Sequence, residues 1–147
     1  MKKTLALIAL LPTIFVSTTV LAQDFSAQIE SRQNAFEQIE SLSKQASKTL
    51  KGSNTDWFTL EQIGVELTRH SAQLKQAFPE GSQVDSKAKK EVWSKPDNFN
   101  RLMLQMDKGF AQLYQAAQNQ QVSSAEAGLK QAQSTCRSCH RAYRSRW

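Results

Sequence analysis

One short run dictates what the rest of the chain must build. It is Cys136-Arg137-Ser138-Cys139-His140, with seven residues after it and no other cysteine among the 147. In a Cys-x-x-Cys-His run the two thiols add across the vinyl groups of a porphyrin, and the adjacent imidazole becomes an axial ligand of its iron. A redox pair, half of a zinc site and a structural disulfide compete for the same residues. A redox pair belongs beside a βαβ pattern, which the sequence lacks, and a zinc site takes about four ligands, usually with a second Cys/His cluster. The run therefore reads as an attachment site for one haem c, with Cys136 and Cys139 as covalent anchors and His140 as the iron ligand. Because it stands at the chain's end, every other wall of the pocket has to come from upstream.

The start of the chain is built for export, which such attachment needs. Lys2 and Lys3 precede an apolar run from Leu5 to Val16, and Val20-Leu21-Ala22 offers small or apolar residues to a signal peptidase. The expected signal peptide is 1–22, leaving a single periplasmic domain over 23–147. Pro12, Thr13 and Ser17-Thr18-Thr19 interrupt the run, which falls short of the roughly 20 apolar residues of a membrane span, so no membrane association is expected once it is cleaved. The chain has 19 basic and 13 acidic residues, and Lys2 and Lys3 leave with the leader. Lys87, Lys89, Lys90, Arg141, Arg144 and Arg146 look scattered and have no aromatic platform, so the excess charge points to solubility and partner steering, and away from nucleic acid.

Four stretches carry helical periodicity. From about Ser26 to Leu50 nothing breaks a helix, and Ile29, Phe36, Ile39 and Leu50 fall near one face with Arg32 and Gln33 beside them; Lys51-Gly52 supplies the stop. Asn54, Thr55 or Asp56 can cap a second helix bearing Leu60, Ile63, Leu67, Leu74 and Phe78, which Pro79 ends. Gly64 within it marks either a weak point or a close approach by another helix. Residues 79–95 read as a long loop ending in Glu91-Val92-Trp93. Pro96 and Asp97 suit the first turn of a third helix, whose stripe is Phe99, Leu102, Met103, Met106, Phe110, Leu113 and Ala117. Ser123 and Glu126 form a capping box for a fourth, on which Leu129, Ala132, Cys136, Cys139 and Tyr143 share a face.

Four amphipathic helices without an alternating strand pattern predict an all-α, antiparallel up-and-down four-helix bundle with haem c inside one end. The sixth position of the iron is then the open question. Upstream of the motif His70, Met103 and Met106 could reach it, although a lone helical His is commonly a surface or packing residue and Met usually fills core volume.

The sequence resembles the cytochromes c′, the high-spin branch of the class II c-type cytochromes. Cys136 to Arg144 match that family's C-terminal Cys-x-x-Cys-His-x-x-Tyr-Arg, Arg32-Gln33 its Arg-Gln pair in the first helix, and Val92-Trp93-Ser94 with Phe99 its Ile/Val-Trp segment. The resemblance implies that Arg32 and Gln33 lie toward the haem propionates and that Arg144 stands beside the proximal imidazole. It also implies that Phe36 covers the distal face, where low-spin relatives place a ligating Met. A phenyl ring cannot coordinate, so a five-coordinate high-spin iron follows. The family often forms homodimers through its first two helices, for which Leu42, Trp57 and Phe58 are candidates.

A crowded apolar distal face gives bound dioxygen no hydrogen bond but admits nitric oxide and carbon monoxide. The expected function is therefore binding of these small gases, with a periplasmic electron carrier served by a redox partner protein as the alternative. The sequence shows no distal His with an acid/base partner suited to peroxide cleavage, so an enzyme is not expected.

Overall fold

The computed structural model describes residues 24–146. The leader expected over 1–22 lies outside the described residues. The order is α1 (Ser26–Leu50), α2 (Trp57–Leu74), α3 (Glu91–Ser94), α4 (Pro96–Gln118) and α5 (Val122–Tyr143). The four long helices form the expected all-α bundle, packed in the ring α1–α2–α4–α5, and α3 is a single turn inside the predicted long loop.

Local chemistry accounts for most of the boundaries. Asp56 is the residue that caps α2, its Oδ1 accepting from the Thr59 amide at 3.0 Å. Pro96 and Asp97 open α4 as expected. Two boundaries differ from the sequence reading. α2 stops at Leu74, four residues before Phe78, because the chain tightens: Lys75, Gln76 and Ala77 donate to the carbonyls of Ala72, Gln73 and Leu74 at 3.2–3.3 Å. The carbonyls of Ala77, Phe78 and Pro79 are then captured by side chains, Arg32 taking the first and the Trp93 indole the other two. α5 begins at Val122 with no side-chain cap, so Ser123 and Glu126 form no capping box; Ser124 instead accepts from the Gln112 side chain.

The core is the apolar stripe of each helix: Ile39 and Leu50 of α1, Leu60, Leu67 and Leu74 of α2, Phe110 and Leu113 of α4, Leu129 and Ala132 of α5. Packing around it is uneven. α4 and α5 lie in close register because Gly109 and Gly128 face each other; a Cβ on Gly109 would come within 2.6 Å of Ala132 N and Gly128 O, and one on Gly128 within 2.7 Å of Gly109 O. Gly64 serves α2 in the same way, where a Cβ would meet Tyr114 Cα at 2.9 Å. α1 touches α5 far more sparingly than α4 does. The bundle is therefore zipped on one side and slack on the other.

Gly109→Ala should separate α4 from α5, since the obstacle is backbone that cannot rotate away. A loss of about 2–3 kcal/mol in urea unfolding is expected, against little change for an alanine at the exposed Gly52, whose Cβ would have ordinary contacts.

Candidate haem site

The slack side is where the motif lies. Cys136, Cys139 and His140 occupy the last turns of α5, with Tyr143 one turn beyond Cys139 on the same face. Tyr143 is buried, its hydroxyl accepting from Asn98 Nδ2 at 3.1 Å and its ring meeting Phe99 edge-on at 5.3 Å. Phe99 meets Phe78 at 5.0 Å, and Phe78 meets Phe36 of α1 at 6.4 Å, again edge-on. A continuous aromatic wall thus runs from the motif helix to α1. Phe36 and Cys139 are both only half-buried at its rim.

The sequence reading did not foresee Arg32's surroundings. It is buried, 3% exposed, and burial holds its guanidinium below the usual arginine range. Nη1 donates to Ala77 O and Ser82 Oγ at 3.1 and 2.8 Å, Nη2 donates to Ser82 O at 2.7 Å, and the group stacks 4.7 Å from the Phe78 ring centroid. Arg32 thereby ties the 77–82 turn, and Phe78 with it, to α1. Gln33 next to it is exposed. Ser82, fully buried, is the partner that a sequence of scattered polar loop residues gave no reason to choose.

Three observations separate the haem reading from its competitors. The cysteines are not joined to each other: Cys136 is exposed and Cys139 half-buried. Burial raises the Cys139 thiol to about 11 and raises Cys136 as well, whereas a redox-active pair needs a depressed thiol pKa. Among the described residues no group of three or more His, Cys, Asp or Glu could hold a metal ion, so the half zinc site has no second half. Burial, followed by the charge of Arg144, also lowers the His140 pKa and so favours the neutral imidazole that a metal requires. Two protonated thiols beside a neutral imidazole, facing an aromatic wall across a loosely packed interface, fit a covalently held porphyrin.

Arg144 follows the end of α5 and shares with His140 a cleft of about 780 Å³. The other candidate iron ligands lie on α2 and α4, and Met103 lines a second cavity with Phe78 and Phe99. Met103 and Met106 are buried in the α4 stripe. His70 is 8% exposed on α2, with Nε2 2.9 Å from an Arg69 guanidinium nitrogen and Nδ1 buried without a hydrogen-bond partner among the described residues.

Both the sequence and the fold place this site in a known family. The sequence profile of the family described as Cytochrome C′ matches residues 27–144, and the chain belongs to that family of haem c proteins. Cytochrome c-554 of Cereibacter sphaeroides is 34% identical over 73 residues, 47% of this chain and 54% of the relative. The match thus spans about half the length of the curated relatives. A cytochrome c′ with ligand-controlled dimer dissociation superposes with a TM-score of 0.74 at 16% identity, over 86% of this chain and all of that one. A ferrous variant of the Alcaligenes xylosoxidans cytochrome c′ with bound nitric oxide gives 0.76 at 22% identity, over 84% of this chain and 97% of that one. At these identities the superpositions establish the bundle.

His70 gives the bundle a pH dependence of definite sign. Burial first, and the Arg69 charge second, hold its pKa below the ordinary value near 6.5, with Glu66 opposing. Its charged form is thus disfavoured in the folded state, so stability is full above that value and declines as pH falls toward the depressed one. Urea midpoints should drop between pH 7.5 and 5.5, and His70→Gln should flatten that part of the slope.

Proposed function

We propose that the chain is a periplasmic, non-enzymatic haem protein that binds nitric oxide and carbon monoxide at an apolar distal face. One haem c is held by thioethers to Cys136 and Cys139, with its iron on His140. The observation that carries this reading is Phe36, a side chain with no donor atom, standing in the aromatic wall across from the motif helix. When bound, the haem supplies an iron with one axial position free for a diatomic ligand and able to cycle between ferric and ferrous.

The chain's own groups determine what that position accepts. Phe36 and Phe78 offer neither a hydrogen bond to a polar ligand nor an acid/base group, which disfavours dioxygen and anions and leaves peroxide cleavage without its machinery. Arg32 holds the turn that carries Phe78 and thereby fixes the wall, while Gln33, exposed beside it, is free to meet a propionate. Burial, and after it the charge of Arg144, lower the His140 pKa and so favour its neutral imidazole. The nitric oxide seen in the Alcaligenes xylosoxidans protein supports the choice of ligand. Export through the 1–22 leader is consistent with the described helices, none of which is long and apolar enough to cross a membrane.

Two copies pair through α1 and α2 in this reading. Phe58 is 74% exposed and Val65 37%, two turns apart on one side of α2, whereas Trp57 and Leu42 pack against the core and serve it instead. A cytochrome c′ with ligand-controlled dimer dissociation shares this fold and supports pairing of two copies, the helices involved being read from the exposed side chains.

Absorption spectra of the purified ferrous protein, with and without nitric oxide, test the assignment. Broad high-spin bands that change on adding the gas are expected, and sharp low-spin bands before addition would refute the five-coordinate site. Phe36→Ala should accelerate carbon monoxide binding roughly tenfold or more, about 1.4 kcal/mol off the entry barrier; an unchanged rate would mean that another side chain guards the iron.

A further inference from the structure

The basic residues that look scattered in the sequence converge in space. Lys87, Lys89, Arg137, Arg141, Arg144 and Arg146 line the same cleft as His140, and among the described residues no carboxylate lines it. The backbone joins the two segments that supply them. Ala88 and Arg144 form an antiparallel bridge; the Lys89 amide donates to Tyr143 O at 2.9 Å and the Ser145 amide to Lys87 O at 2.7 Å. Lys89 Nζ adds a bond to Arg141 O at 3.1 Å. Glu40, the carboxylate that feels His140 and Arg144, is itself tied to Lys44 at 2.6 Å. Gathering six cations is unfavourable for the isolated chain, and the fold maintains it with a dedicated bridge.

The haem's own carboxylates do not account for this cluster. Arg137 and Arg141, one turn apart, lie on a face of α5 neighbouring that of Cys136, Cys139 and Tyr143, with His140 at the border, and Arg144 follows just past the helix end. In a c-type haem the vinyl edge is bonded to the cysteines and the propionates leave from the opposite edge of the porphyrin. The cations therefore surround His140, beside the turns of α5 that carry the two cysteines.

We propose that this cleft docks an acidic patch of a one-electron donor protein. The inference rests on attachment of haem at Cys136 and Cys139. On docking, one electron leaves the donor's reduced group and the ferric iron takes it up, with no bond made or broken. A concave surface suits a protruding acidic patch better than the flat plane of a lipid bilayer, and among the described residues no aromatic side chain lines it to stack bases. Its charged lining suits a brief, salt-sensitive encounter of the kind redox proteins make.

The test uses the haem-loaded protein with a flavodoxin, a small acidic flavoprotein, as the probe. Its rate of reducing the ferric protein should fall about tenfold or more between low and high salt. Lys87→Gln/Arg137→Gln/Arg146→Gln should slow it about tenfold at low salt and weaken binding of oxidised flavodoxin by a similar factor. The control Lys48→Gln/Lys51→Gln/Lys108→Gln, which removes the same charge from exposed positions elsewhere, should change both by less than about twofold. Reduction by neutral hydroquinone should be equal in all three proteins. Equal loss in the control triple, or salt-independent rates, would overturn the proposal. So would pelleting with phosphatidylglycerol vesicles that the cleft triple abolishes while flavodoxin binding stays intact. Haem staining on a denaturing gel separates the two layers: an unstained band refutes the attachment itself, whereas a stained band with an unselective cleft refutes only the docking.

Discussion

The architecture depends on how tightly α5 is pressed against α4. Gly109 and Gly128 let two backbones meet where any Cβ would collide, and this contact fixes the rotation of α5 about its own axis. Once that rotation is set, the face carrying Cys136, Cys139 and Tyr143 turns toward α1, which lies against α5 only lightly. Close packing on one side and slack on the other are two aspects of one arrangement. A symmetric bundle of the same helices would have filled the slot that a planar cofactor needs.

Arg32 governs the opposite wall. A buried guanidinium with three bonds to a turn is expensive to desolvate, and the return is geometric: Ala77, Phe78 and Ser82 are held at a fixed distance from α1. Trp93 closes the same turn from the other side by donating to Phe78 O and Pro79 O. The aromatic wall is therefore centred on a loop residue, Phe78, clamped between two helices, and its rigidity derives from polar bonds rather than from helical propensity.

Periodicity and punctuation were enough to read the helices from the sequence, and α1 spans the residues its unbroken pattern suggested. Pro79 misled at the end of α2, because the true stop is set by side chains capturing carbonyls from across the bundle, and no local pattern records that. The capping box at Ser123 failed for a similar reason: a helix begins where tertiary packing places it, and a cap adds only about 1 kcal/mol. Of the site, the motif was legible because its chemistry is intrinsic to the residue types, whereas Phe36 was picked out only through the family resemblance. The partners of Arg32 and the convergence of Lys87 and Lys89 with the C-terminal arginines were not, since both depend on pairings across some fifty residues of chain.

The bridge between Ala88 and Arg144 has a consequence for how the molecule holds together. Cys139 and Phe36 lie roughly a hundred residues apart in the chain, a separation whose closure is entropically slow. The bridge acts as a cross-brace, tying the end of α5 to the 87–89 segment in a bundle whose α1–α5 side is otherwise slack.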